Sequence, residues 1–139
     1  MSSNLALSLD YRRVPNIFRE GRFMEVINTL RNPANLSESI NQLNWVKQVH
    51  GEIGGNHYHY HKWERIVVLN GVGRVILANP ETAERYEAQI SKGDIITLVQ
   101  RIAHALTPAD SAPWEFLEFT NKPFDNRNPK DDCYDYKVL

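Results

Sequence analysis

Four side chains in this sequence have the types and spacing to grip one metal ion: His57, His59, Glu64 and His104. Imidazole nitrogens and a carboxylate oxygen are favoured ligands of divalent transition metals. A strand puts residues i and i+2 on one face, so His57 and His59 can point at the same ion. Glu64 stands an odd number of residues beyond His59, and an unbroken strand would turn it the other way. A turn or bulge between Tyr60 and Trp63 must therefore reset the parity. His104 has to arrive on a separate strand and close the site from across the sheet. Zinc, iron, manganese, nickel and copper all suit this donor set, and neutral imidazoles are required to bind any of them.

Other residues are candidates for supporting roles. His61 continues the alternation after His59 and is the candidate proton carrier, its alternative being a surface histidine. Arg101, close to His104, is the candidate for holding an anionic substrate, against a solvated turn residue. His50 reads as an ordinary strand residue. Tyr58 and Tyr60 alternate with the histidines and should face the opposite side of the sheet, where they pack. Trp63, Trp114 and Phe116 are core residues or walls of a ligand pocket. Either Lys47 or Gln48 should face inward, but the glycines at 51, 54 and 55 permit a bend and leave the choice open.

The elements that must position these groups read as β from Leu43 onward. Trp45–His50 is one strand. Ile66–Leu69 and Val72–Ala78 are apolar, β-branched runs joined by Asn70-Gly71, a hairpin signal. Turns follow at Asn79–Thr82 and Ser91–Asp94, with strands at Arg85–Ile90, Ile95–Val99, His104–Thr107 and Trp114–Thr120. Such short strands with frequent turn signals predict a sandwich or barrel. Residues 1–42 read as an N-terminal arm with a first strand or helix at Gly21–Leu30 and a loop at Asn32–Ser39. Residues 43–120 are the core, and 121–139 a tail packed on it.

Composition narrows the function. The chain has 139 residues, which suits one domain, and its 16 basic and 17 acidic side chains nearly cancel. No basic face marks nucleic acid as a partner. No apolar run is long enough to span a bilayer, and the N-terminus lacks the pattern of a secretion signal. The single cysteine, Cys133, precludes an internal disulfide and reads as an ordinary thiol. A cytoplasmic protein without membrane partners is the expectation.

Gly51, His57, His59, Glu64 and Gly71 fill all five slots of the first cupin motif, Gly-x5-His-x-His-x3–4-Glu-x6-Gly. Gly93 and His104 fit the second, in which Val99, Arg101 and Pro108 replace the usual proline, glycine and asparagine. The chain thus resembles a cupin. The resemblance implies an all-β double-stranded β-helix, or jelly roll, with the site in the barrel mouth. The run Gly55–His59 and the tail Phe124–Pro129 with Tyr134 are similar to small cupins that modify nucleotide-linked sugars in polysaccharide synthesis. Many of those carry an arginine before Gly-Asn-His, where this chain has Gly54. The implied activity is metal-dependent epimerisation or isomerisation of a carbonyl-bearing sugar or related metabolite. The same ligands also serve an Fe(II)-dependent dioxygenase or a metabolite-binding protein without catalysis. One divalent metal, a small-molecule substrate and a homodimer complete the expectation.

Overall fold

The computed structural model describes residues 40–122 and 127–139 in full, and the backbone of three short strands nearer the N-terminus. In chain order the strands are β1 (Arg12–Arg13), β2 (Asn16–Arg19), β3 (Arg22–Glu25), β4 (Gln42–Gln48), β5 (Gly54–Tyr58) and β6 (Glu64–Asn70). They continue as β7 (Val72–Ala78), β8 (Arg85–Ser91), β9 (Asp94–Leu98), β10 (Ala103–Pro108), β11 (Trp114–Thr120) and β12 (Tyr134–Asp135). The segment Arg22–Glu25 takes the strand alternative and pairs with β2. The rest of Gly21–Leu30, the expected loop at Asn32–Ser39 and most of the N-terminal arm lie outside the described residues. No helix occurs among the described residues, and none is long and apolar enough to cross a membrane.

Two five-stranded antiparallel sheets face each other. One has the order β1-β9-β6-β11-β4, the other β12-β5-β10-β7-β8. The Asn70-Gly71 signal does mark a turn, but not a hairpin. β6 pairs with β9 and β11, while β7 pairs with β8 and β10, so the chain crosses from one sheet to the other at Gly71. The physical reason lies in the flanking runs, which are apolar and buried on both faces rather than alternating. Gly71 has φ +76°, and a Cβ there would stand 2.5 Å from the Pro113 carbonyl oxygen and 2.8 Å from the Trp114 Cα. Only glycine permits both the left-handed turn and that approach.

The core between the sheets is built from Ile66 and Val68 on β6, Val75 and Leu77 on β7, Ile96 and Leu98 on β9, Leu106 on β10, and Trp114 and Phe116 on β11. Along several strands the inward face then changes character. On β6 it runs Val68, Ile66, Glu64; on β10 Leu106, His104; on β11 Trp114, Phe116, Glu118. One end of the sandwich is therefore a dry core and the other an ionisable chamber. β4 follows the same rule and inverts the usual pattern. Its Asn44 and Gln48 turn toward the chamber side, while Leu43 and Trp45 are 56% and 73% exposed outside. The C-terminal tail covers the outer face of the second sheet, where Val138 packs on Ile76, Ala78, Ala103 and Ala105.

Candidate metal centre

His57 sits on β5 and His59 just beyond its end; Glu64 opens β6, and His104 lies on β10. The expected closure from a second strand is observed: His104 pairs directly with His57 in the β10–β5 ladder. One donor atom from each of the four lies within 4.8 Å of every other. The rings of His57 and His59 are 4.7 Å apart, those of His57 and His104 5.0 Å. Gly55 makes this approach possible. With φ +95°, it lies so close to β10 that a Cβ would be 2.4 Å from the His104 carbonyl oxygen.

The donors are prepared for a cation. His59 Nδ1 is 2.6 Å from the carbonyl oxygen of Asp132. A carbonyl only accepts, so Nδ1 carries the hydrogen and Nε2 keeps its lone pair. That Nε2 is buried, 3.4 Å from Glu64 Oε1 and without a hydrogen bond. His104 Nε2 lies 3.9 Å from Glu64 Oε2. Burial, together with the neighbouring His104 and His59, lowers His57 to a pKa of about 4. Burial also lowers His104, against the opposing pull of Glu64. Burial alone would raise Glu64, but its neighbours, the Lys62 ammonium 3.3 Å away among them, hold its carboxyl well below the usual range. Near neutral pH the cluster thus offers an anionic oxygen and imidazole lone pairs. Ligands on one ion stand roughly 3–3.5 Å apart, so the four need only a small contraction to share it. The residues fit a divalent transition metal.

The four side chains line a cavity of about 330 Å³ open to solvent. Its apolar wall includes Val46, Leu106 and Phe116; its polar lining includes Gln48, Lys62, Glu118 and Lys122. Of the pair left open in the sequence, Gln48 is the residue that faces inward. It accepts from Trp114 Nε1 at 2.7 Å and donates to the Leu106 carbonyl at 3.3 Å. Phe116 serves both core and wall; Trp63 and Trp114 are buried and do not line the cavity.

Two residues expected in the site are placed elsewhere. His61 is exposed and absent from the cavity wall, because the turn after His59 carries its side chain outward. Arg101 sends its guanidinium over the Tyr60 ring, 5.7 Å from the centroid. Its backbone does reach the site's support: Arg101 N–H donates to the His59 carbonyl at 2.6 Å. At φ +66°, Arg101 holds the left-handed conformation for which the second motif usually supplies glycine. Tyr58 and Tyr60 pack outside with Tyr134, as alternation required, and His50 is exposed.

Glu118 was missed from the sequence. It faces the same cavity, accepts a hydrogen bond from Asn44 Nδ2 at 3.0 Å, and is pushed up to a pKa of about 7 by burial and by the charge of Glu64. Its signal was available in the period-2 pattern Trp114-x-Phe116-x-Glu118, whose inward face ends in a carboxylate. The tail was also underread: Asn128, Pro129, Asp131 and Cys133 line the mouth, and β12 adds to β5.

The sequence matches the family described as the polysaccharide biosynthesis C-terminal domain over residues 19–134. The chain belongs to this family. No curated protein sequence matches it. Among solved structures it is similar to CapF, the capsular polysaccharide assembling protein of Staphylococcus aureus. The TM-score is 0.65 at 22% identity, over 73% of this chain and 30% of CapF. The chain thus spans under a third of CapF. It is also similar to QdtA, a sugar 3,4-ketoisomerase from Thermoanaerobacterium thermosaccharolyticum solved with TDP (TM-score 0.65, 12% identity, 91% and 86% of the two chains). A third similar structure is WlaRA, a TDP-fucose-3,4-ketoisomerase from Campylobacter jejuni (TM-score 0.67, 14% identity, 90% and 87% coverage). These likenesses establish the cupin jelly roll expected from the motifs.

Proposed function

We propose that this member of the family is a metal-dependent cupin that moves a proton beside the carbonyl of a sugar, resulting in epimerisation or ketone migration. The observation that carries the reading is the convergence of His57, His59, Glu64 and His104 on the wall of a cavity that also presents Glu118. The family and the sugar-modifying neighbours support the substrate class. His57, His59, Glu64 and His104 would hold one divalent ion, which when bound supplies Lewis acidity toward a carbonyl oxygen.

The chain's own groups account for the rest. Phe116, Val46 and Leu106 give one apolar wall against which a sugar ring can lie. The cavity is large enough for a single sugar ring, so an attached nucleotide would lie across the open mouth near Lys122 and the tail. Lys62, with Nζ 3.3 Å from Glu64 Oε1, brings positive charge to the chamber where an enolate oxygen would develop. Glu118 is the group placed to take a proton from the carbon beside the carbonyl and to return it. Return to the same carbon inverts it only when the proton arrives on the opposite face of the enolate; return to the former carbonyl carbon, with the neighbouring hydroxyl proton passing to the enolate oxygen, moves the ketone. His61, exposed outside, is not needed for this scheme.

The test is incubation of the protein, as isolated and zinc-loaded, with TDP-linked 4-keto-6-deoxy sugars in deuterated water, followed by NMR. Deuterium beside the carbonyl that disappears in Glu118→Gln is the expected result. No exchange in any such sugar refutes the reading. Oxygen consumption instead of exchange would select the iron dioxygenase, and tight sugar binding with neither would select a non-catalytic binding protein. We also propose a homodimer. The outward Leu43 and Trp45 of β4 leave apolar surface for a second copy to cover. A monomeric mass in light scattering refutes it.

A further inference from the structure

The turn between His59 and Glu64 decides whether the four donors can meet, yet it does not hold itself together. Its backbone N–H groups are satisfied by two side chains from distant parts of the chain. Asp132 Oδ1 accepts from Tyr60 at 2.9 Å, and Asp132 Oδ2 accepts from Lys62 at 2.8 Å, with His61 N–H 3.2 Å and 3.1 Å from the two oxygens. Asn121 Oδ1 accepts the next one, from Trp63, at 2.9 Å. Asp132 also accepts through its backbone carbonyl from His59 Nδ1 at 2.6 Å.

One residue thus grips the turn with its carboxylate and the first ring of that turn with its main chain. Doing both requires an unusual backbone. Asp132 has φ +55° and is 8% exposed. Aspartate is among the few residues other than glycine that adopt this left-handed conformation readily, and such conformations persist where the surroundings demand them.

We infer that Asp132 is a positioning residue: it sets the turn that brings Glu64 back to the face of His57 and His59, and it holds His59 as the Nδ1–H tautomer with Nε2 aimed at the cluster. This rests on the metal reading only for its consequence, since the turn and the tautomer exist with or without an ion. The tail thereby becomes part of the site. Partners that orient a metal-bound histidine typically change affinity 10–100-fold when removed.

The experiment uses the full chain in wild-type, Asp132→Ala and Asp132→Asn forms. Asparagine keeps the size, the left-handed preference and one acceptor oxygen, but turns an amide donor toward a backbone N–H, so it decides the matter should the alanine variant not fold. Long-range proton–nitrogen NMR of histidine-labelled, metal-free protein reads the His59 tautomer. Competition with a chromophoric chelator reads the affinity for zinc alone. The expected result is an Nδ1–H His59 in the wild type, its loss or mixing with Nε2–H in folded variants, and zinc affinity about 10–100-fold lower. A folded variant that keeps the wild-type tautomer and also binds zinc within twofold of wild type overturns the inference. If wild-type protein binds no zinc but the variants still lose the tautomer, the positioning role stands and the metal-dependent function falls.

Discussion

If the four donors bind an ion only when folded, free zinc must raise the melting temperature by an amount fixed by mass action. His57, His59 and Glu64 come from β5, β6 and the turn between them, but His104 comes from β10 and meets them only in the folded sheet. The complete site therefore exists in the native state alone. Stabilisation follows RT ln(1 + [Zn]/Kd), about 2.7 kcal/mol at a hundredfold excess over Kd and about 1.4 kcal/mol for each further decade. A chain of 139 residues unfolds with an entropy of about 0.3 kcal/mol/K near its midpoint. The expected rise is then about 9 °C at a hundredfold excess and about 5 °C per additional decade of free zinc. Local binding by His57, His59 and His61 in the unfolded chain flattens the slope at the highest concentrations. Differential scanning calorimetry in zinc buffers makes the measurement, with His104→Ala displacing the curve to higher zinc and His61→Ala leaving it in place. A melting temperature indifferent to zinc, cobalt, manganese and nickel, or a curve unchanged by His104→Ala, would refute the argument that these residues form one cation site.

Three further outcomes test the groups around the centre. Glu118 keeps its proton up to a pH of about 7 in the folded chain against an ordinary value of 4.5, so the unfolded state is increasingly favoured as pH rises through that window. Glu118→Gln should accordingly raise the melting temperature of the metal-free protein at pH 8 and leave it nearly unchanged at pH 4.5, as read by circular dichroism. Gln48→Leu strands the buried Trp114 indole N–H, which Gln48 Oε1 now accepts, and removes one bond to the Leu106 carbonyl. A loss of about 2–3 kcal/mol in urea unfolding is expected, and a loss below about 0.5 kcal/mol would contradict the pairing. Gly55→Ala meets both a positive φ and the His104 carbonyl at 2.4 Å, whereas Gly51→Ala meets a positive φ and nothing within 4 Å. The first should be clearly the more destabilising and the only one of the two to weaken zinc binding; equal effects would remove the close approach of β5 to β10 as a determinant of the site.

What was legible in the sequence and what was not divides along the range of the interactions. The positions of β11 and of the turns at Asn79 and Ser91 follow from local chemistry, and the spacing of His57, His59, Glu64 and His104 is read from the residues themselves. Pairing is another matter. Asn70-Gly71 specifies a reversal, but whether the reversal closes a hairpin or hands the chain to the opposite sheet depends on what must cover β6 and β7, and each is buried on both faces. The parity reset was deducible from His59 and Glu64, yet its physical support was not, because Asn121 and Asp132 are far along the chain and neither belongs to a motif. The same distance explains why His61 looked catalytic. Alternation past His59 would keep it inward, and hydrogen bonds drawn from Asn121 and Asp132, with Gln100 and Arg101 bonding the same turn, end that alternation. A sequence pattern can thus nominate ligands wherever the strand period carries them, but the residues that hold ligands in register are chosen by the tertiary fold. In this chain that choice makes the C-terminal tail a determinant of the centre.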